Sequence, residues 1–308
     1  MQRFIIIRLF YALIVLFAVS IIVFALARIS GNPIDTMLPF TATDAQQDAL
    51  RRVWGLDKSY PEQYFTFVGN ALKGDFGDSV RWRDSTAMGM VWQRFPNTLQ
   101  LAGLAMFISL VIAIPIGVLS AVKKDTPFDF AGKIFALLGQ ATPPFWLGIM
   151  LIWIFAVELD WFPTGGKDGF KNLILPAVTA GWFQVAALMR LVRSAMLEVL
   201  DTEYVTLARV KGIPEWKVIW KHCLRNAAIP PLTLFGILGA QLMTGLIVTE
   251  SVFSWPGTGL LAVEAIRGRD YPVIQAVVVL FSVIYIGMNL VVDILYAYVD
   301  PRIRYGQG

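Results

Sequence analysis

Charge is scarce in this chain. Asp, Glu, Lys and Arg make up 16% of its 308 residues, hydrophobic residues make up 56%, and the mean hydropathy is +0.62. That balance excludes both a water-soluble domain with an ordinary surface and a disordered polar chain, and it points to a polytopic membrane protein. A single cysteine, Cys223, excludes an internal disulfide. A single histidine, His222, leaves little for metal chemistry and reads as a polar residue on an interfacial helix. Hydrolytic motifs are missing too: there is no His-Glu-x-x-His and no Gly-x-Ser-x-Gly. The pairs Gly132-Lys133 and Gly166-Lys167 lack both the following Ser/Thr and the upstream glycine of a phosphate-binding loop, so the chain does not hydrolyse ATP by that route. No sequence period of about 20–50 residues recurs, which excludes a solenoid.

Long uncharged runs are present instead. They cover 9–27, 98–122, 134–157, 172–189, 226–249 and 271–292, each close to the length that crosses about 30 Å of hydrocarbon. The fourth is short and is expected to continue past Arg190. None alternates as a barrel strand does, so the expected fold is an all-α polytopic membrane protein with six transmembrane helices. The first run has too long an apolar core, and too poor a cleavage context in Ala27-Arg28-Ile29-Ser30-Gly31, for a signal peptide.

Basic residues orient the spans. With six helices, one side carries Arg3, Arg8, Lys123, Lys124, Lys133, Arg190, Arg193, Arg209, Lys211, Lys217, Lys221, Arg225, Arg302 and Arg304. The short loops opposite carry Lys167, Lys171, Arg267 and Arg269. Both termini are therefore expected in the cytoplasm. The same bias accounts for the net charge of +4, so no nucleic-acid partner is implied.

The expected organisation is a cytoplasmic N-terminus with the first span (1–28), an extracytoplasmic cap (29–96), a five-span core (97–300) and a cytoplasmic tail (301–308). Within the cap, Thr43 and Gln46 have capping-box spacing and Gly55 is a plausible stop, predicting a helix over 44–54. Pro61 suits the first turn of a second helix over 60–72, and 74–79 reads as a turn. Pro115, Pro143-Pro144, Pro176 and Pro230-Pro231 interrupt the spans and read as kinks. Gly236 and Ala240 suit close helix packing, within this chain or with a partner. Glu158, Asp160 and Glu250 read as solvated residues at outer span ends. Asp293 lies deeper, with Asn289 one turn before it, and the pair reads as a buried structural contact.

The segment 200–225 is too polar for a bilayer and too regular for a linker. Five basic and three acidic residues lie among large apolar ones, with Gly212-Ile213-Pro214 in the middle. A short helix over 203–211, a left-handed stop at Gly212 and a second helix pre-set by Pro214 give a cytoplasmic helix-turn-helix. From the residues alone its partner is either anionic lipid or a protein.

Its order of residues resembles one family. Ser194-Ala195-Met196-Leu197-Glu198-Val199-Leu200, Glu203-Tyr204-Val205, Ala208-Arg209-Val210-Lys211-Gly212 and Leu224-Arg225-Asn226-Ala227 are similar to the cytoplasmic loop of ABC importer permeases. The likeness is to the first permease of the dipeptide/oligopeptide/nickel pair. It extends through Gly74-Asp75-Phe76-Gly77, 253–259, 269–275, 289–293 and 300–305. Thr206-Leu207 departs from a common Arg-Thr, and Val210 from a usual Ala.

The resemblance implies a binding-protein-dependent, ATP-driven importer in a bacterial inner membrane, working by alternating access. Dipeptides or oligopeptides are the expected cargo, with glutathione, a nickel chelate or an opine as alternatives. Partners would be a second homologous permease, two cytoplasmic ATPases carrying the ATP and Mg, and an extracytoplasmic binding protein, with no cofactor, metal site or catalytic residue in this chain. Glu203, Tyr204, Ala208, Arg209, Lys211, Gly212 and Pro214 would dock the ATPase, with Ala208 and Gly212 permitting close approach and Arg209 and Lys211 meeting acidic groups. Asp75, Phe76, Trp255, Pro256, Gly257, Arg269 and Asp270 would meet the binding protein. The rival class, an ion-driven carrier, needs intramembrane charge pairs and an inverted repeat, and the sequence offers neither.

Overall fold

A computed structural model describes residues 2–29, 43–82 and 84–299. The expected 301–308 tail, the 300–305 motif and the start of the cap lie outside these residues. Among them the chain is helical, with one isolated backbone bridge between Asp78 and Thr86. In chain order the helices are α1 (Gln2–Ile29), α2 (Asp44–Val53), α3 (Tyr60–Ala71), α4 (Ala87–Val122), α5 (Pro127–Ala141), α6 (Pro144–Glu158) and α7 (Lys171–Leu200). They continue as α8 (Glu203–Val210), α9 (Glu215–Ala227), α10 (Ile229–Gly245), α11 (Ile247–Val252), α12 (Thr258–Arg267) and α13 (Tyr271–Val299).

Four helices are long and apolar enough to cross a membrane: α1, α4, α7 and α13. The fourth run does continue past Arg190, to Leu200. The other two expected spans are not single helices. The 134–157 run is split into α5 and α6, which meet at 106°. The cause is local: Thr142 and Pro143 are extended, and neither proline of Pro143-Pro144 has an N–H to extend the α5 ladder. The 226–249 run is shared by α10 and α11, and at its start α10 turns by 57° from α9, where Pro230-Pro231 open the new helix. Counting each bent pair as one span gives six. Pro176, by contrast, stays inside α7.

The chain divides into two compact units, Met1–Thr98 with Pro256–Gly287 and Leu99–Trp255 with Met288–Gly308. In the first, α3 packs on α1. Phe24 meets the rings of Tyr64 and Phe67 at 5.5 and 5.9 Å, and Ser20 Oγ is 2.8 Å from the Tyr64 hydroxyl. The capping box forms: the Thr43 N–H donates to Gln46 Oε1 at 3.0 Å. The unit's core joins Ala87 and Val91 to Leu261, Ala265, Val273, Ala276 and Val277, and Phe76 and Trp82 of the expected cap pack against it.

In the second unit small residues bring backbones together. A Cβ on Gly181 would sit 2.9 Å from the Ala105 carbonyl oxygen, and one on Gly117 2.8 Å from that of Met189. Gly236 faces Val292, where a Cβ would meet Cγ2 at 2.8 Å, so this glycine packs the chain against itself. Glu158 and Asp160 are exposed as expected. Glu250 is not: it is fully buried, where α11 packs against α6 and α7. Asn289 is half-buried, and the Asp293 side chain lies outside the described residues.

Candidate functional site

The segment after α7 folds as two short helices around a tight turn. Only Asp201 and Thr202 separate α7 from α8. The first helix ends in a Schellman turn: the Gly212 N–H donates to the Arg209 carbonyl (2.9 Å) and the Ile213 N–H to that of Ala208 (3.2 Å). Gly212 sits at φ +72°, the left-handed region, with no atom within 4 Å of where a Cβ would be. Backbone conformation therefore demands this glycine, and crowding does not. Pro214 is extended and lies just before α9, not within its first turn as expected. Its carbonyl accepts from the Lys217 and Val218 N–H groups at 2.9 and 3.1 Å and starts the helix.

One side of the hairpin is fastened to its own unit. Val205, Val218 and Cys223 are fully buried and Ile219 nearly so, in a core with Val118, Ala121, Val192, Ala195 and Met196. Ala208 and Ile213 pack against the same core. Ala208, one turn after Val205 on the same face, is half-buried against this core. Asn226 Nδ2 donates to the Tyr204 hydroxyl at 2.8 Å, tying α8 to the end of α9.

The other side faces outward. Leu207, Val210, Trp216 and Trp220 are exposed, with Val210 at 78%. Around them stand Glu203, Lys211, Lys217 and Lys221. A shallow depression runs between Glu203, Tyr204, Thr206, Leu207 and Val210. Arg209, expected to meet a partner's acid, is exposed and also bridges the turn. Its Nη2 donates to Glu215 Oε1 at 2.8 Å and its Nε to Oε2 at 3.3 Å. The carboxylate raises the guanidinium above its ordinary value, outweighing partial desolvation, so Arg209 stays a cation at the exposed side of the turn.

The outer set divides differently. Asp75 and Arg269 are exposed; Phe76 and Pro256 are half-buried. Asp270 is fully buried and structural: its carboxylate accepts from the Ser79 hydroxyl and from the Arg81 (3.1 Å) and Val273 (3.3 Å) N–H groups. Pro256 offers its carbonyl to Asn97 Nδ2 at 2.7 Å, and the buried Gly257 leads into α12. Trp255 is 2% exposed, its N–H donating to the Glu250 carbonyl at 2.8 Å. Trp255, Gly257 and Asp270 therefore present no surface to a partner.

Sequence reading missed a buried ionic cluster. Asp129, in the first turn of α5, is fully buried. It accepts from Arg193 Nε (2.6 Å) and Nη2 (2.8 Å) on α7, from Ser120 Oγ (2.6 Å) on α4 and from Lys133 Nζ (2.9 Å). Asp129 and Lys133 have the i,i+4 spacing of a helix pair, the one signal available in sequence. Arg193 stands 64 positions away and had been counted only as a cytoplasmic charge.

Similarity to known proteins covers nearly the whole chain. Residues 113–305 match the family described as binding-protein-dependent transport system inner membrane component, and residues 1–102 match its N-terminal membrane component. The oligopeptide transport system permease protein AppB of Bacillus subtilis is 37% identical over 316 residues, covering 99% of this chain and 100% of that protein. The di/tripeptide transport system permease protein DppB of Pseudomonas aeruginosa is 38% identical, covering 94% and 95%. The glutathione transport system permease protein GsiC of Escherichia coli K12 is 39% identical, covering 99% and 100%. Among solved structures, an amino acid ABC transporter crystallised with histidines matches at TM-score 0.54 and 13% identity, covering 68% of this chain and 94% of that one, a likeness of fold. The chain belongs to the family of inner membrane components of binding-protein-dependent transport systems.

Proposed function

We propose that this chain is one of two permease subunits of an ATP-driven importer of dipeptides or oligopeptides. It crosses the bacterial inner membrane six times, with α5–α6 as one bent span, α10 leading the span that follows the cytoplasmic α8–α9 hairpin, and both termini in the cytoplasm. It lines half of the translocation path, and a homologous permease lines the other half. An extracytoplasmic binding protein delivers the cargo, and two cytoplasmic ATPases, which carry ATP and Mg, drive the cycle. Asp75 and Arg269, the exposed members of the outer set, are the candidate contacts to the binding protein.

The observation that carries this reading is the two-faced hairpin α8–α9. Its inner face is sealed into the chain's own core, so a push on it is transmitted to α4 and α7. Its outer face leaves Leu207, Val210, Trp216 and Trp220 exposed on a segment that also exposes Lys211, Lys217, Lys221 and Glu203. An ATPase groove with apolar floor and acidic edges is the partner of matching chemistry. Lysine supply on the same side as the termini supports the orientation. Peptide cargo is supported by the relatives, and glutathione, itself a small peptide, by GsiC.

The test is uptake into proteoliposomes containing the purified complex. Labelled dipeptide is expected to enter only with ATP inside and binding protein outside, and excess unlabelled peptide, or glutathione, should compete. Uptake that needs neither ATP nor binding protein and collapses with an ionophore would replace this reading with the ion-driven carrier.

A further inference from the structure

We infer that Asp129 is a positioning residue for coupling: it pins the cytoplasmic ends of α4, α5 and α7 so that they follow the α8–α9 hairpin as one body. Asp129 fills its oxygens with donors from three helices: Ser120 on α4, Lys133 on its own α5 and the forked guanidinium of Arg193 on α7. The Asp125 N–H adds another donor at 3.1 Å. Neither principal partner is freely solvated, with Asp129 at 0% and Arg193 at 18% exposure.

The location gives the cluster its meaning. Ser120 is flanked by Val118 and Ala121, and Arg193 by Val192 and Ala195; these four belong to the core that receives Val205 and Val218 from the hairpin. Polar pin and apolar seat therefore share the same helix ends. Arg193 lies two turns before Leu200, where α7 stops and the hairpin begins.

An apolar contact tolerates sliding, because dispersion is non-directional. A bidentate carboxylate–guanidinium pair does not: a shift of α7 along α5 breaks two aligned bonds and leaves a desolvated charge on each side. A wholly buried carboxylate is a poor device for stability alone, since apolar residues of the same volume serve as well. It is a good device for fixing one relative position under load.

This inference rests on the hairpin being the element the ATPase pushes, and the experiment separates the two. Asp129→Asn and Arg193→Lys are each placed in the full transporter, which is purified with its ATPases and reconstituted with binding protein. Cargo moved and ATP hydrolysed are measured together. With the pin weakened, ATP hydrolysis is expected within about twofold of wild type while cargo moved per ATP falls about tenfold, and less for Arg193→Lys, which keeps its charge but loses the fork. Should Asp129→Asn fail to assemble, Arg193→Lys decides. A wild-type ratio in either assembled variant overturns the inference. So does an equal fall of both activities, which a merely structural role produces. If the unmutated chain does not retain its ATPases, the docking reading fails, and the inference that rests on it is overturned with it.

Discussion

Gly212 gives the sharpest test of how the hairpin works, because two explanations of the same glycine predict different substitutions. If the glycine serves close approach by a partner, any side chain should interfere. The structure argues otherwise. A Cβ at position 212 would touch nothing within 4 Å, while the backbone sits at φ +72°. The penalty is then conformational. Asparagine is among the few residues that enter the left-handed region readily, so Gly212→Asn should cost well under about 1 kcal/mol. Valine is a genuine outlier there, at about 2–3 kcal/mol, or a factor of about thirty or more against the Schellman turn. Losing the turn also frees the Gly212 and Ile213 N–H bonds and pulls Ile213 off the core. The assay is co-purification of the ATPases with the permease, alongside binding-protein-dependent uptake. Gly212→Asn is expected to be close to wild type in both, and Gly212→Val to lose both while still inserting in the membrane. Equal failure of the two variants would refute the conformational argument and restore steric approach. Full activity of Gly212→Val would refute the docking role of the turn.

Three further outcomes follow from the same geometry. Val205→Ala removes two methyl groups from a fully buried site and should lower the stability of the permease by about 2 kcal/mol, read as an earlier thermal transition in detergent. Leu207→Ala with Trp216→Ala should leave that transition within about 0.5 kcal/mol, since both side chains are exposed, yet weaken ATPase retention by about 1–2 kcal/mol for each anchor; unchanged retention in a salt-washed pull-down would count against the outer face. Asp270→Asn puts an amide where three donors converge and should destabilise the 73–86 loop by about 2–3 kcal/mol, seen as new protease cleavage there, with binding-protein affinity changing only through that loop.

Much of the fold was legible because lipid enforces simple rules. Helices α1, α4, α7 and α13 follow from uncharged runs of sufficient length, and α2 and α3 from local caps and a proline at a first turn. What hydropathy does not encode is direction. Pro143-Pro144 and Pro230-Pro231 are legible as kinks, but the size of the turn at each, 106° and 57°, is not. Glu250 reads as solvated in sequence because nothing there shows that α6 and α7 pack over α11. Asp129 was invisible because its principal partner is remote in sequence.

The docking segment shows why a motif does not by itself separate contact from construction. Read as a string, Ala208, Arg209, Lys211, Gly212 and Pro214 form one block, and a partner is the natural explanation for all of them. In three dimensions they divide by direction. Ala208 faces the core, Arg209 reaches back to Glu215, Gly212 ends a helix and Pro214 starts the next, while Lys211 stays at the surface. A helix of eight residues with a turn on each side is too short to hold itself together by propensity, so most of its residues must be used to build it. If the hairpin docks as proposed, the exposed apolar side chains left to touch another protein are Leu207 and Val210, both departures from the family's usual residues, with Trp216 and Trp220. Partner choice in such an element is therefore expected to reside at these positions. Exchanging them between permeases, with the turn left intact, is the change expected to exchange ATPases.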